Sequence, residues 1–138
     1  MSGVASQSRH IGVHVDQSPE RVYEYAADPA NLPEWAPGLC DAVEREGDRW
    51  FADSGMGRIE LTFAPANPFG VLDHDVRLPS GEVFHNPVRV VPHDNGSEIV
   101  FTLRRQDGMS DADFDRDTAA VRADLEALKR IVESPSGH

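Results

Sequence analysis

His74 is the residue in this chain best placed to do proton chemistry. It lies in the alternating run from Val71 to Leu78, in register with Leu72, Val76 and Leu78. An imidazole ordinarily titrates near neutrality, so an inward histidine can act as general acid or base. Hairpin spacing brings further polar groups to the same face. A three-residue loop at Pro79 to Gly81 pairs Leu78 with Glu82, Val76 with Phe84 and His74 with Asn86. A one-residue slip would turn apolar residues outward, so this register is strongly favoured. Asn95-Gly96 is a strong two-residue turn signal. It predicts Val90 opposite Phe101, Val88 opposite Leu103 and Asn86 opposite Arg105. Carried backwards, Ile59 pairs with Val76, His74 falls opposite Leu61, and Trp50 lies beside Leu61. The expectation is one inner row of Trp50, Leu61, His74, Asn86 and Arg105. Asn86 would orient the histidine or polarise a carbonyl, and Arg105 would hold an anionic group or enolate oxygen.

Plainer readings stand beside these. Buried polar groups are normally hydrogen-bonded, so His74 and Asn86 could form a satisfied pair in the wall. Arg105, near a strand end, could reach solvent or cap the following helix. Asp73-His74-Asp75 is not a triad, because neighbouring strand residues point to opposite faces. It places Asp75 opposite His85 on the outer side. His10, His14, His93 and His138 show no metal-ligand spacing, and no metal or cofactor is expected. The single Cys40 excludes an internal disulfide and is expected to pack as a small hydrophobe.

Composition narrows the function classes. Thirteen Lys and Arg against 24 Asp and Glu leave a net charge of −11 over 138 residues. Such a surface repels phosphate backbones, and no basic stripe offsets it, so nucleic acid is not an expected partner. No stretch approaches the ~20 apolar residues of a membrane-spanning helix. The polar segment Met1 to Arg9 lacks an apolar signal core, which points to the cytoplasm. The length suits one domain over 1–138, with flexible tails expected at 1–8 and 134–138.

The elements that must carry these residues are legible. Ile11, Val13 and Val15 alternate as a half-buried strand. Ser18 and Pro19 open a short helix bearing Val22, Tyr25 and Ala26, which Asp28-Pro29 ends. A second short helix runs to Trp35. Six strands follow: two around Glu46 to Asp48, then Arg58–Ala64, Val71–Leu78, Glu82–Val91, and one bearing Ile99, Phe101 and Leu103. Last comes a helix with Phe114, Thr118, Val121, Leu125, Leu128 and Val132 along one face. Ser110 and Asp113 form its capping pair.

The junction from His10 to Trp35 resembles the start of the START-like, birch-pollen-allergen-like (SRPBCC) superfamily. The runs Gly70 to His74, Pro87 to Pro92 and Phe101 to Asp111 resemble its small bacterial polyketide cyclase/dehydrase-like members. The resemblance covers about residues 9 to 133. It implies an α+β helix-grip fold, with a curved antiparallel sheet of about seven strands wrapped around a long C-terminal helix and two short helices after strand one. It also implies a cavity between sheet and helix. Tyr25, Trp35, Trp50, Met56, Leu61, Phe84, Phe101, Arg105 and Val121 are then the expected ligand contacts, with His74 and Asn86 as candidate catalytic residues. Core packing explains Trp35 equally well. The loop Asp53 to Gly57 reads as a gate around Met56. Three functions follow from the resemblance: binding of a small hydrophobic or aromatic molecule, a cyclase, dehydratase or isomerase using His74, or a protein-interaction module. Either a monomer or a homodimer is compatible with it.

Overall fold

The computed structural model describes residues 7–37, 40, 42–55 and 57–134. Residues 1–6 and 135–138, in the expected tails, and Met56 of the expected gate lie outside the described residues. β1 (Ser8–Val15) is followed by α1 (Pro19–Ala26), a single 3-10 turn at Pro29–Asn31, and α2 (Leu32–Trp35). The strands β2 (Ala42–Glu46), β3 (Arg49–Ser54), β4 (Gly57–Phe63), β5 (His74–Arg77), β6 (Val83–Asn86), β7 (Val88–His93) and β8 (Gly96–Arg104) come next. The long helix α3 (Asp111–Glu133) closes the order. This is the helix-grip arrangement. Ser8, placed in a tail by sequence, already pairs with Arg104.

The helix ends follow local chemistry. The Ser18 hydroxyl accepts the Arg21 N–H at 3.3 Å, and the Ser110 hydroxyl accepts the Asp113 N–H at 3.1 Å. Each satisfies one of the donors that a helix start leaves without an intrahelical partner.

Among the described residues the strands number eight because Pro87 divides the predicted strand Glu82–Val91. A proline has no N–H to give a ladder. On its N-terminal side β6 pairs with β5, and on its C-terminal side β7 pairs with β8. The strands therefore form two antiparallel ladders, β2-β3-β4-β5-β6 and β1-β8-β7. The residues just before β5 join them. The Leu72 N–H donates to the Val88 carbonyl, and the Val90 N–H donates to the Gly70 carbonyl. This use of 70–73 shortens β5 relative to the predicted Val71–Leu78.

Two predicted registers are corrected. Val90 pairs with Ile99 and Val88 with Phe101, so the hairpin loop is Asp94-Asn95. Gly96 is drawn into β8 because a Cβ there would lie 2.3 Å from the Val15 carbonyl oxygen. Its missing side chain serves close strand approach, while Asp94 takes the left-handed conformation at φ 51°. Across β4 and β5, Leu61 pairs with Val76 and Phe63 with His74. Both slips are by two residues, which leaves every side chain on its predicted face. The other predicted pairs, Trp50 with Leu61, Val76 with Phe84, His74 with Asn86 and Asp75 with His85, are present.

The core gathers Ile11, Val13 and Val15 of β1 with Val22, Trp35, Ile59, Leu61, Ile99, Leu125, Leu128 and Val132. In the stripe of α3, Phe114, Leu125, Leu128 and Val132 are buried, whereas Thr118 and Val121 are only half-buried. The middle of the helix therefore does not close on the sheet. That gap positions the site.

Candidate functional site

A cavity of about 230 Å³ opens where α3 passes β5, β6 and β8. The sheet supplies His74 and Val76 from β5, Asn86 from β6, and Phe101 and Leu103 from β8. The helix supplies Asp117, Ala120, Val121 and Asp124, at steps that share one face. Small and medium side chains at Ala120 and Val121 leave the space that larger ones would fill.

His74 is held from three sides. Its ring stacks on Phe63 with centroids 5.1 Å apart and meets Phe101 edge-on at 6.2 Å. Its Nδ1 lies 3.2 Å from the Leu72 carbonyl oxygen. A carbonyl only accepts, so Nδ1 carries the proton in the neutral ring and Nε2 presents its lone pair. Among the described residues no hydrogen bond occupies Nε2, and none joins His74 to Asn86. The satisfied His–Asn wall pair is thus not formed. Burial holds the imidazole below its ordinary pKa and favours the neutral form.

Asp124 is shifted the opposite way. Burial pushes its carboxyl up to about 6, and among the described residues it has no hydrogen-bond or ion-pair partner. The cavity therefore combines a neutral imidazole offering a lone pair with a carboxyl that changes charge near pH 6.

Of the residues predicted from sequence, the structure brings His74, Asn86, Phe101 and Val121 to this cavity. Met56 lies outside the described residues, and the remaining ones lie elsewhere. Arg105 leaves the expected row: its Nη2 and Nε donate to the Met109 carbonyl at 2.8 and 3.2 Å, and its Nη1 meets Asp111 at 2.6 Å. It ties the chain leading into α3, with its guanidinium 5.6 Å from the Phe114 ring. Trp50 lies beneath Arg45 in a second depression with Leu61, Phe63, Ala27 and Pro29. Leu61 itself is buried at 2 % exposure. Tyr25 and Trp35 sit in the core under the helices. The Tyr25 hydroxyl donates to Glu34 at 2.9 Å, which with burial raises the phenol pKa. Phe84 lies toward Glu82, Arg104 and Arg105 in a separate depression.

Asp117 and Asp124 escaped sequence reasoning, which followed only the apolar stripe. Their signal was present: each stands three or four residues from Val121, on the flank of that stripe. Among the described residues, no group of three or more His, Cys, Asp or Glu side chains could hold a metal ion.

A helix-grip fold with a cavity between sheet and terminal helix defines a broad class of proteins. Within it, residues 6–133 match the family model described as polyketide cyclase / dehydrase and lipid transport. The chain belongs to that family, within the SRPBCC superfamily. No curated protein sequence gives a significant match. Solved structures share the fold at low identity. The Aha1 dimer from Colwellia psychrerythraea superimposes with a TM-score of 0.74 at 14% identity, covering 95% of this chain and 99% of that one. XoxI from Bacillus cereus gives 0.70 at 15% identity, covering 98% and 100%. Truncated norcoclaurine synthase from Thalictrum flavum gives 0.62 at 15% identity, covering 96% and 98%.

Proposed function

We propose that the cavity between the sheet and α3 binds a small organic molecule with an apolar body and one hydrogen-bonding head. The observation that carries this reading is a cavity with an apolar wall of Val76, Phe101, Leu103, Ala120 and Val121 and a few polar side chains, among them His74, whose Nε2 has no hydrogen bond among the described residues. Ligand sites are mostly apolar with a few polar anchors. At about 230 Å³ the space lies below the ~300–1,000 Å³ common for drug-sized ligands, so a single-ring or short-chain compound fits best.

Native mass spectrometry of the purified protein, set against its denatured mass, tests this directly. A retained small apolar compound, released in the His74→Ala or Val121→Trp variant, is the expected result. A bare chain that shows no rise in melting temperature with single-ring aromatic compounds would overturn it.

An enzymatic role is the second reading, favoured by the opposed shifts of His74 and Asp124. A lowered imidazole and a raised carboxyl both come within reach of neutral pH, where either group can exchange a proton. In a cyclase, dehydratase or isomerase, His74 Nε2 would accept a proton from a carbon or hydroxyl while Asp124 returned one. Asn86 would hold the carbonyl that carries developing charge. Turnover with a bell-shaped pH profile, lost in His74→Gln, separates catalysis from binding.

We further read 1–138 as one domain acting in the cytoplasm, as a monomer or homodimer. A single buried free cysteine supports a reducing compartment. Among the described residues no helix is long and apolar enough to cross a membrane.

A further inference from the structure

We propose that this cavity selects ligands bearing a protonated amine beside their apolar body, a specificity that rests on the binding reading above. The lining offers acceptors with no competing cation. Asp124 and Asp117 line it from α3 seven residues apart, His74 of β5 keeps an unoccupied Nε2, and Asn86 of β6 adds an amide that can accept. β8 contributes only Phe101 and Leu103. Among the described residues no lysine or arginine lines the space. The arginines at the start of α3 are committed elsewhere: Arg9 to Asp115 at 2.8 Å and Thr118 at 2.9 Å, Arg105 to Met109 and Asp111.

A carboxylate withdrawn from water without a counter-ion is costly. Asp124 is half-buried and has no partner among the described residues, and His74 Nε2, on the sheet side of the same cavity, has no donor. An ammonium has three N–H donors and no acceptor, which complements both groups at once. A carboxylate ligand would meet two like charges and a lone pair. A neutral alcohol could donate to only one of the two. The Phe101 ring in the lining also suits a cation attached to a hydrocarbon body. The net charge of −11 adds long-range attraction for cations.

Calorimetric titration of the intact protein with benzylamine, benzyl alcohol and benzoate at pH 7.5 tests the inference with three ligands of nearly one shape. Benzylamine is expected to bind at least tenfold more tightly than benzyl alcohol, and benzoate not to bind. In Asp124→Asn the preference for the amine should fall below threefold. In Val121→Trp, which keeps both carboxylates but fills the space, all binding should vanish, which separates the cavity from general surface attraction. Benzyl alcohol binding as tightly as benzylamine would overturn the amine specificity and leave the cavity reading intact. Failure of all three would overturn both, and equal amine binding in Val121→Trp would place the interaction outside the cavity.

Discussion

Asp73 grips Arg89 with both carboxylate oxygens, accepting Nε at 2.9 Å and Nη2 at 2.8 Å. The same Asp73 Oδ1 also takes the Val88 backbone N–H at 2.9 Å. This latch spans the seam where the five-stranded ladder passes into the three-stranded one. It lies directly behind His74, on the opposite face of the strand. The seam therefore sets the direction from which the imidazole enters the cavity.

Breaking that latch should loosen the seam. Charge-assisted hydrogen bonds are the stronger kind, and Asp73→Ala is expected to cost about 2 kcal/mol. Arg89→Ala should cost less, because Asp73 keeps the Val88 N–H. For a chain of this size the first change corresponds to roughly 8 °C in melting temperature. Arg89 holds the Asp73 carboxyl below its ordinary range. Its stabilisation is therefore complete above the unfolded carboxylate pKa and lost as pH falls through the lower folded value. Urea melts of the wild type and both variants down to pH 3 check the order and the sign.

The two shifted cavity groups should leave opposite marks on stability against pH. For His74 the folded pKa is depressed, so its contribution is present above the unfolded value and disappears as pH falls through the folded one. For Asp124 the folded pKa is raised to about 6, so ionisation imposes a penalty as pH climbs toward 6 and above. Asp124→Asn is then expected to stabilise the protein at pH 7 to 8 by about 1 kcal/mol after solvent screening, with no gain at pH 4. His74→Phe should remove the acid-side loss below about pH 6.5. Melting curves of both variants from pH 4 to 8, with the His74 imidazole followed by NMR, decide it. Stabilisation by Asp124→Asn that persists undiminished at pH 4 would contradict the assigned shift.

Gly96 should tolerate no side chain. Its Cβ would meet the Val15 carbonyl oxygen at 2.3 Å, backbone that cannot step aside. Gly96→Ala is expected to cost about 2–3 kcal/mol, as overpacking does. At Gly55 an added Cβ meets nothing within 4 Å, and Gly55→Ala should change stability by less than about 0.5 kcal/mol. Paired denaturant melts give the comparison.

Short-range chemistry was legible throughout. The Ser18 and Ser110 caps, the Leu78–Glu82 hairpin and the Trp50–Leu61 pairing rest on a few consecutive residues or one tight loop. Readings that depended on longer connections slipped. The 65–70 segment between β4 and β5 does not dictate how far the next strand slides, so His74 moved from Leu61 to Phe63. The Asn95-Gly96 turn moved by one residue because β1 needed Gly96 for its own packing. Arg105 left the row for the same reason of register. Asp124 was visible as a residue on the flank of the stripe, but not as a wall.

The amino-acid sequence by itself determined the helices, the order of the elements and the face taken by most strand residues. Those follow from periods of 2 and 3.6 that are properties of the local backbone. Only the tertiary structure decided which inward residues meet. Bringing Asp124 and His74 to one cavity, and Arg105 away from it, depended on strand registers and on where α3 stands off the sheet. Both are set by packing between segments far apart in the chain.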